Sequence, residues 1–170
     1  MLWKIMTNFI RFFHLITGGV NNSGVNNKRK INRLIIGKIL SPLAGYADND
    51  DEWPKFDNLN PNDESAMRSM IREYFLPYYH RCYPLESMLA LKEAFMYFLS
   101  VGNIDWQREC DSLLFPCDLP DDSKNFALWL WDECFPNTDY HIANLEDYYV
   151  VEDYDDLHKV FPPGYGWRKQ

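Results

Sequence analysis

Apolar side chains recur at three- and four-residue steps along most of residues 60–134, which places them on one face of successive α-helices. Asn60-Pro61 opens the first helix, with Asn as N-cap, Pro at the first helical position, and Asp63 and Glu64 in the first turn. Met67, Met70, Ile71, Tyr74 and Phe75 form its buried stripe, and Pro77 breaks or kinks it because proline has no N–H to donate. A second start lies at Pro84-Leu85-Glu86. Met88, Leu91, Phe95, Phe98 and Leu99 follow, and Gly102 supplies the stop. Residues 105–114 read as a third helix, with Trp106, Cys110, Leu113 and Leu114 on one side. Residues 121–134 are a fourth, carrying Phe126, Leu130, Trp131 and Cys134, with Trp129 widening the face.

Past Asn137 the periodicity loosens. Thr138 caps a short helix to about residue 145, Tyr148 to Val151 reads as extended because four strand-favouring residues run together, and residues 153–160 form a last helix before Pro162-Pro163. One strand without an identifiable partner leaves the class mainly α: a compact helical bundle or an array of helical hairpins, ending in an irregular acidic segment.

The N-terminal stretch differs. Lys4, Thr7, Asn8, Arg11 and His14 make a narrow polar stripe on an otherwise apolar helix over residues 2–16. It is short for a membrane span and no small-x-small cleavage site follows, so it docks on the body or lies at a membrane surface. Gly19-Val20-Asn21-Asn22 is echoed by Gly24-Val25-Asn26-Asn27, turn-favouring chemistry that reads as a linker. Ile31, Leu34, Ile35 and Ile39 mark a short helix over residues 31–40, weakened by Gly37 and stopped before Pro42. The organisation expected is an amphipathic helix over 1–17, a Gly/Asn-rich linker over 18–30 and an acidic helical domain over 31–170.

Charge sharpens that division. The chain has 170 residues, 17 Lys and Arg against 25 Asp and Glu, and a net charge of −8. Residues 1–47 hold seven of the bases and no acid, about +7; the remaining 10 bases and 25 acids leave about −15. Either the basic arm lies on the acidic body, or each part has its own partner. Sixteen per cent aromatic residues exclude wholesale disorder, and the acidic body excludes a surface built for direct nucleic-acid binding. Four cysteines without a C-x-x-C pair fit a reduced, cytoplasmic setting rather than a disulfide scaffold.

Catalytic and cofactor chemistry finds little footing. The linker spells G-x-x-x-x-G, but Val25-Asn26 stands where a phosphate loop needs Lys and Ser or Thr. His80 and Cys82 are the sole close pair of zinc-ligand type, with Cys110, Cys117 and Cys134 spaced too widely for the usual two-pair site. The same pair is the best local candidate for a cysteine nucleophile, yet residues two apart on a helix face different ways. His141 with Glu146 and Asp147, and His158 with Asp155, read as surface neighbours. The chain is expected to be no enzyme and to need no cofactor, with a small Cys- or metal-dependent enzyme as a minor alternative.

Binding is the stronger reading. Residues 146–156 interleave six acids with three tyrosines, and aromatic anchors rimmed by carboxylates suit a basic protein surface. The expected partner-binding residues are Asp147, Tyr148, Tyr149, Glu152, Asp153, Tyr154, Asp155 and Asp156; Asp48, Asp50, Asp51 and Glu52 before Trp53 repeat the chemistry on a smaller scale. The competing reading is a solvated acidic face over half-buried tyrosines. In its acidic, aromatic-rich, helical profile and its acidic-tyrosine stretch, residues 48–170 resemble bacterial immunity proteins of contact-dependent growth inhibition systems. That resemblance implies a protein that neutralises a cognate toxin domain, often a nuclease such as an EndoU-like RNase, by occluding its active site. An adaptor or peripheral membrane role for the N-terminal helix is the alternative.

Overall fold

The computed structural model describes residues 28–44, 56 and 58–161. The sequence-predicted helix over 2–16, the linker over 18–27 and the acidic run before Trp53 lie outside these. The fold is mainly α, with one two-stranded sheet. In chain order the elements are β1 (Arg29–Asn32), α1 (Ile35–Leu40), α2 (Glu64–Met70), α3 (Leu76–Cys82), α4 (Leu85–Val101), α5 (Trp106–Ser112), α6 (Ser123–Cys134), β2 (Tyr148–Val151) and α7 (Tyr154–Val160). Tight 3-10 turns occupy Ser41–Leu43 and Leu145–Asp147, and a π turn, Ile71–Phe75, joins α2 to α3.

Aspartate starts four of the helices. Asp63, Asp105, Asp122 and Asp153 accept from the N–H groups of Ala66, Arg108, Lys124, and Asp155 with Asp156, satisfying donors that have no partner within the helix. The first helix therefore begins at Glu64 rather than at Pro61. Asn60 instead folds its side chain onto the Asn62 N–H in a local turn, and Asp63 takes the cap. Gly102 ends α4 in the left-handed conformation expected of it, with φ +68°.

Pro77 does not break the helical run that holds it. Its ring would collide with the carbonyl four residues back, and the π turn just before it relieves that crowding by adding a residue, so that Leu76 N–H bonds to Ile71 C=O. The buried positions Met67, Ile71, Phe75 and Tyr79 advance by four residues at each step. On a regular helix each such step overshoots a turn by about 40°. The extra residue of the π turn takes back most of that drift, and all four side chains face one core.

That core is largely aromatic. Phe75 meets Tyr79 and Phe126 with ring centroids 6.1 and 5.9 Å apart, and Phe95 meets Trp106 and Trp131 at 5.7 and 5.6 Å. The polar ends of these rings are satisfied: Tyr79 O–H donates to Ile39 C=O and Trp131 Nε1–H to Thr138 C=O. Burial pushes the Tyr79 hydroxyl well above its ordinary range, keeping its proton in place as that donor.

The helix expected from Thr138 does not form. Its main chain is strapped along α4 instead, where Ser100 Oγ donates to Tyr140 C=O and accepts from Ile142 N–H. The helix expected over 31–40 is shortened to α1, because Ile31 and Asn32 belong to β1. That strand also claims Arg29 and Lys30 from the end of the expected linker. It supplies the partner that Tyr148–Val151 lacked in the sequence: β1 and β2 run parallel, Arg29 opposite Tyr148 and Asn32 opposite Val151.

Candidate functional site

The site is assembled where β1 crosses the acidic segment. The bond from Arg33 N–H to Val151 C=O, at 2.8 Å, sets the ladder. In a parallel pair alternate residues bond to the neighbour. The main-chain groups of Tyr149 and Val151 therefore turn to β1, and those of Val150 turn to the open edge.

Side chains lock the same junction. Asn32, buried between the strands and α7, accepts from Leu34 N–H at 3.1 Å and donates to Asp153 C=O. Arg29 reaches Glu93 on α4 at 3.1 Å and lies 5.8 Å from the centre of the Tyr148 ring, which itself packs on Tyr97. Lys30 pairs with Asp156, which Lys159 also holds at 2.8 Å. Hydrogen bonds from Lys159 and Lys30 hold the Asp156 carboxyl down to about 2. Arg33 bridges Glu109 on α5, at 2.6 Å, and Glu152, at 3.7 Å. For residues 29–33, then, the basic segment lies on the acidic body, one of the two arrangements its charge allowed.

The eight expected partner-binding residues fall into two groups. Tyr148, Asp153 and Asp156 are tied inward, as ring support, helix cap and ion-pair centre. Tyr149 and Tyr154 are 45% and 66% exposed, Glu152 is only loosely held, and Asp147 and Asp155 make no ion pair among the described residues. Val150, 43% exposed, joins them; its place in an apolar strand gave no sign of this. Three of the exposed large hydrophobic residues thus lie within residues 149–154. Sequence reasoning also missed Asn32, Lys30 and Arg33. The charge asymmetry pointed to the two bases, while nothing local singled out the asparagine.

The catalytic candidates do not assemble. Cys82 sits in the core and His80 on the surface, on different sides of α3. Burial pushes the Cys117 thiol up to about 12 and raises Cys110 and Cys134 further, which suppresses their thiolates. His141 pairs with Asp139 at 2.6 Å rather than with Glu146 or Asp147. Among the described residues no three His, Cys, Asp or Glu side chains converge as a metal site, and no helix is long and apolar enough to cross a membrane. Comparison with family models, curated proteins and solved structures finds no match.

Proposed function

We propose that this chain is an immunity or inhibitor protein that acts in the cytoplasm by binding a basic toxin domain and covering its active site. A nuclease is the target class the charge favours, because a surface that binds phosphates is basic, and an EndoU-like RNase is the example that the resemblance to immunity proteins implies. One observation carries the reading: Tyr149, Val150 and Tyr154 are all exposed within residues 149–154, Tyr149 and Val150 on opposite faces of β2, and they alternate with Asp147, Glu152 and Asp155, whose charges the basic segment leaves largely unneutralised. Anchors of this kind supply affinity, and the acidic rim speeds encounter and selects the partner.

The test separates the rim from the scaffold. Reversing Asp147, Glu152 and Asp155 to Lys leaves the Asp153 cap and the Asp156 ion pairs intact. A partner captured by the wild-type chain and identified by mass spectrometry should associate with the variant at least about tenfold more slowly at low salt, with a flatter salt dependence. Unchanged association and unchanged protection against the toxin would remove this surface from the interface.

A further inference from the structure

We propose that the open edge of β2 receives an extended, basic-flanked segment of the protein partner as a third strand; this rests on the reading of a basic partner above and specifies how that partner is held.

Tyr148 N–H is already bonded to Leu145 C=O at the end of the 3-10 turn. By the alternation of the ladder, Tyr148 C=O, both main-chain groups of Val150 and Glu152 N–H face outward, and no hydrogen bond among the described residues uses them. Edge strands are commonly blunted by proline, by lysine or by a bulge. Tyr-Tyr-Val-Val has none of these, and all four residues favour extended pairing.

Side-chain placement points the same way. Residues opposite each other share a face, so Val150 belongs with its partner Ile31 on the side that packs toward α4. Ile31 is 3% exposed and Val150 43%. The inner face is therefore closed at Ile31 and at Tyr148, whose ring packs on Tyr97, and open at Val150, beside which an added strand would place a side chain of its own.

Charge selects the occupant. Glu146 and Asp147 precede the strand and Glu152 and Asp153 follow it. Two copies meeting edge to edge in antiparallel fashion would set these acidic ends against each other, so the edge repels a second copy of itself. A strand with Lys or Arg at its ends and β-branched residues between meets opposite charge at both ends, while its alternate main-chain groups complete the ladder.

Amide hydrogen exchange by NMR on the full chain, free and with a synthetic peptide acetyl-Lys-Arg-Val-Thr-Val-Thr-Val-Arg-Lys-amide, tests the assignment. In the free chain the Val150 amide should exchange at least about tenfold faster than those of Tyr149 and Val151, and the peptide should slow Val150 and Glu152 by a similar factor. The same peptide with alternate backbone nitrogens methylated, in either register, keeps its charge and side chains but loses one bonding edge, and one register should bind at least about tenfold more weakly. Val150→Pro removes an outward N–H without touching the β1 ladder, and should weaken the parent peptide equally while leaving the circular dichroism unchanged. Equal binding by both methylated peptides would overturn strand addition and leave charge-guided docking standing. Protection of Val150 in the free chain would show the edge already covered by another part of the protein, and would equally overturn it. Failure of every basic peptide to bind would overturn it too, whereas the rim-reversal experiment decides the broader reading by itself.

Discussion

Asn32 ties together three pieces of main chain: its own strand, the turn at Leu34 and the start of α7 at Asp153. A buried amide removed from such a junction leaves its partners without replacements. Asn32→Ala is expected to lower stability by about 1–3 kcal/mol in urea unfolding, and to speed amide exchange at Leu34 and Asp153 more than elsewhere. Asp156 makes a pH-dependent contribution. Its carboxyl is held below the ordinary value of 3.8, down to about 2, so the folded state binds that proton less readily than the unfolded chain. The stabilisation is therefore complete above about pH 4 and disappears as the pH falls toward 2. Melting curves of wild type and Asp156→Asn should differ most above pH 4 and converge toward pH 2. Arg68 works between helices, reaching Glu64 at 2.7 Å, Asp132 at 2.8 Å and Glu133 at 3.3 Å. Arg68→Ala is expected to cost about 1–2 kcal/mol in urea unfolding, more than an isolated exposed pair, because three carboxylates lose their shared partner.

Among the elements, the π turn shows how a packing requirement and a single proline agree. Deleting the exposed Glu73 together with Pro77→Ala should convert the π turn to a regular helical one while Phe75 and Tyr79 stay on the core face. Helical circular dichroism should persist and the loss of stability should stay within about 2 kcal/mol. Deleting Ala94 from α4, where no extra residue exists, would turn Phe95 and Phe98 about 100° away and should abolish cooperative unfolding. The helical stripes of α4 and α6 were legible from sequence because 3.6-residue periodicity is a local property. The strand pairing was not: β1 is four residues long, two of them basic, and only contact with a distant segment makes it a strand. The failed helix after Thr138 has the same cause, since Ser100 offers that main chain hydrogen bonds no local pattern encodes.

At the scale of the whole molecule, opposite charges are joined within one fold. Removing residues 1–33 would take six bases and no acid, leaving 11 bases against 25 acids, a net charge of −14. A chain beginning at residue 34 should melt several degrees below one beginning at residue 28 and should gain more stability from added salt, which screens the self-repulsion exposed by losing β1. Part of the candidate site was legible in this charge distribution. What composition left hidden was the division within residues 147–156 between acids that hold the fold and acids that face outward, because Asp153 takes its role from where the last helix starts and Asp156 takes its from Lys30, 126 residues earlier. That separation also sets an order of events. Arg29 lies opposite Tyr148, 119 residues later. At roughly 5–20 residues per second, a ribosome needs on the order of ten seconds to deliver β2 after β1 has been made. The helices between them have time to form from local contacts, so the sheet forms after them and the acid-rimmed edge exists only once β2 itself has been synthesised.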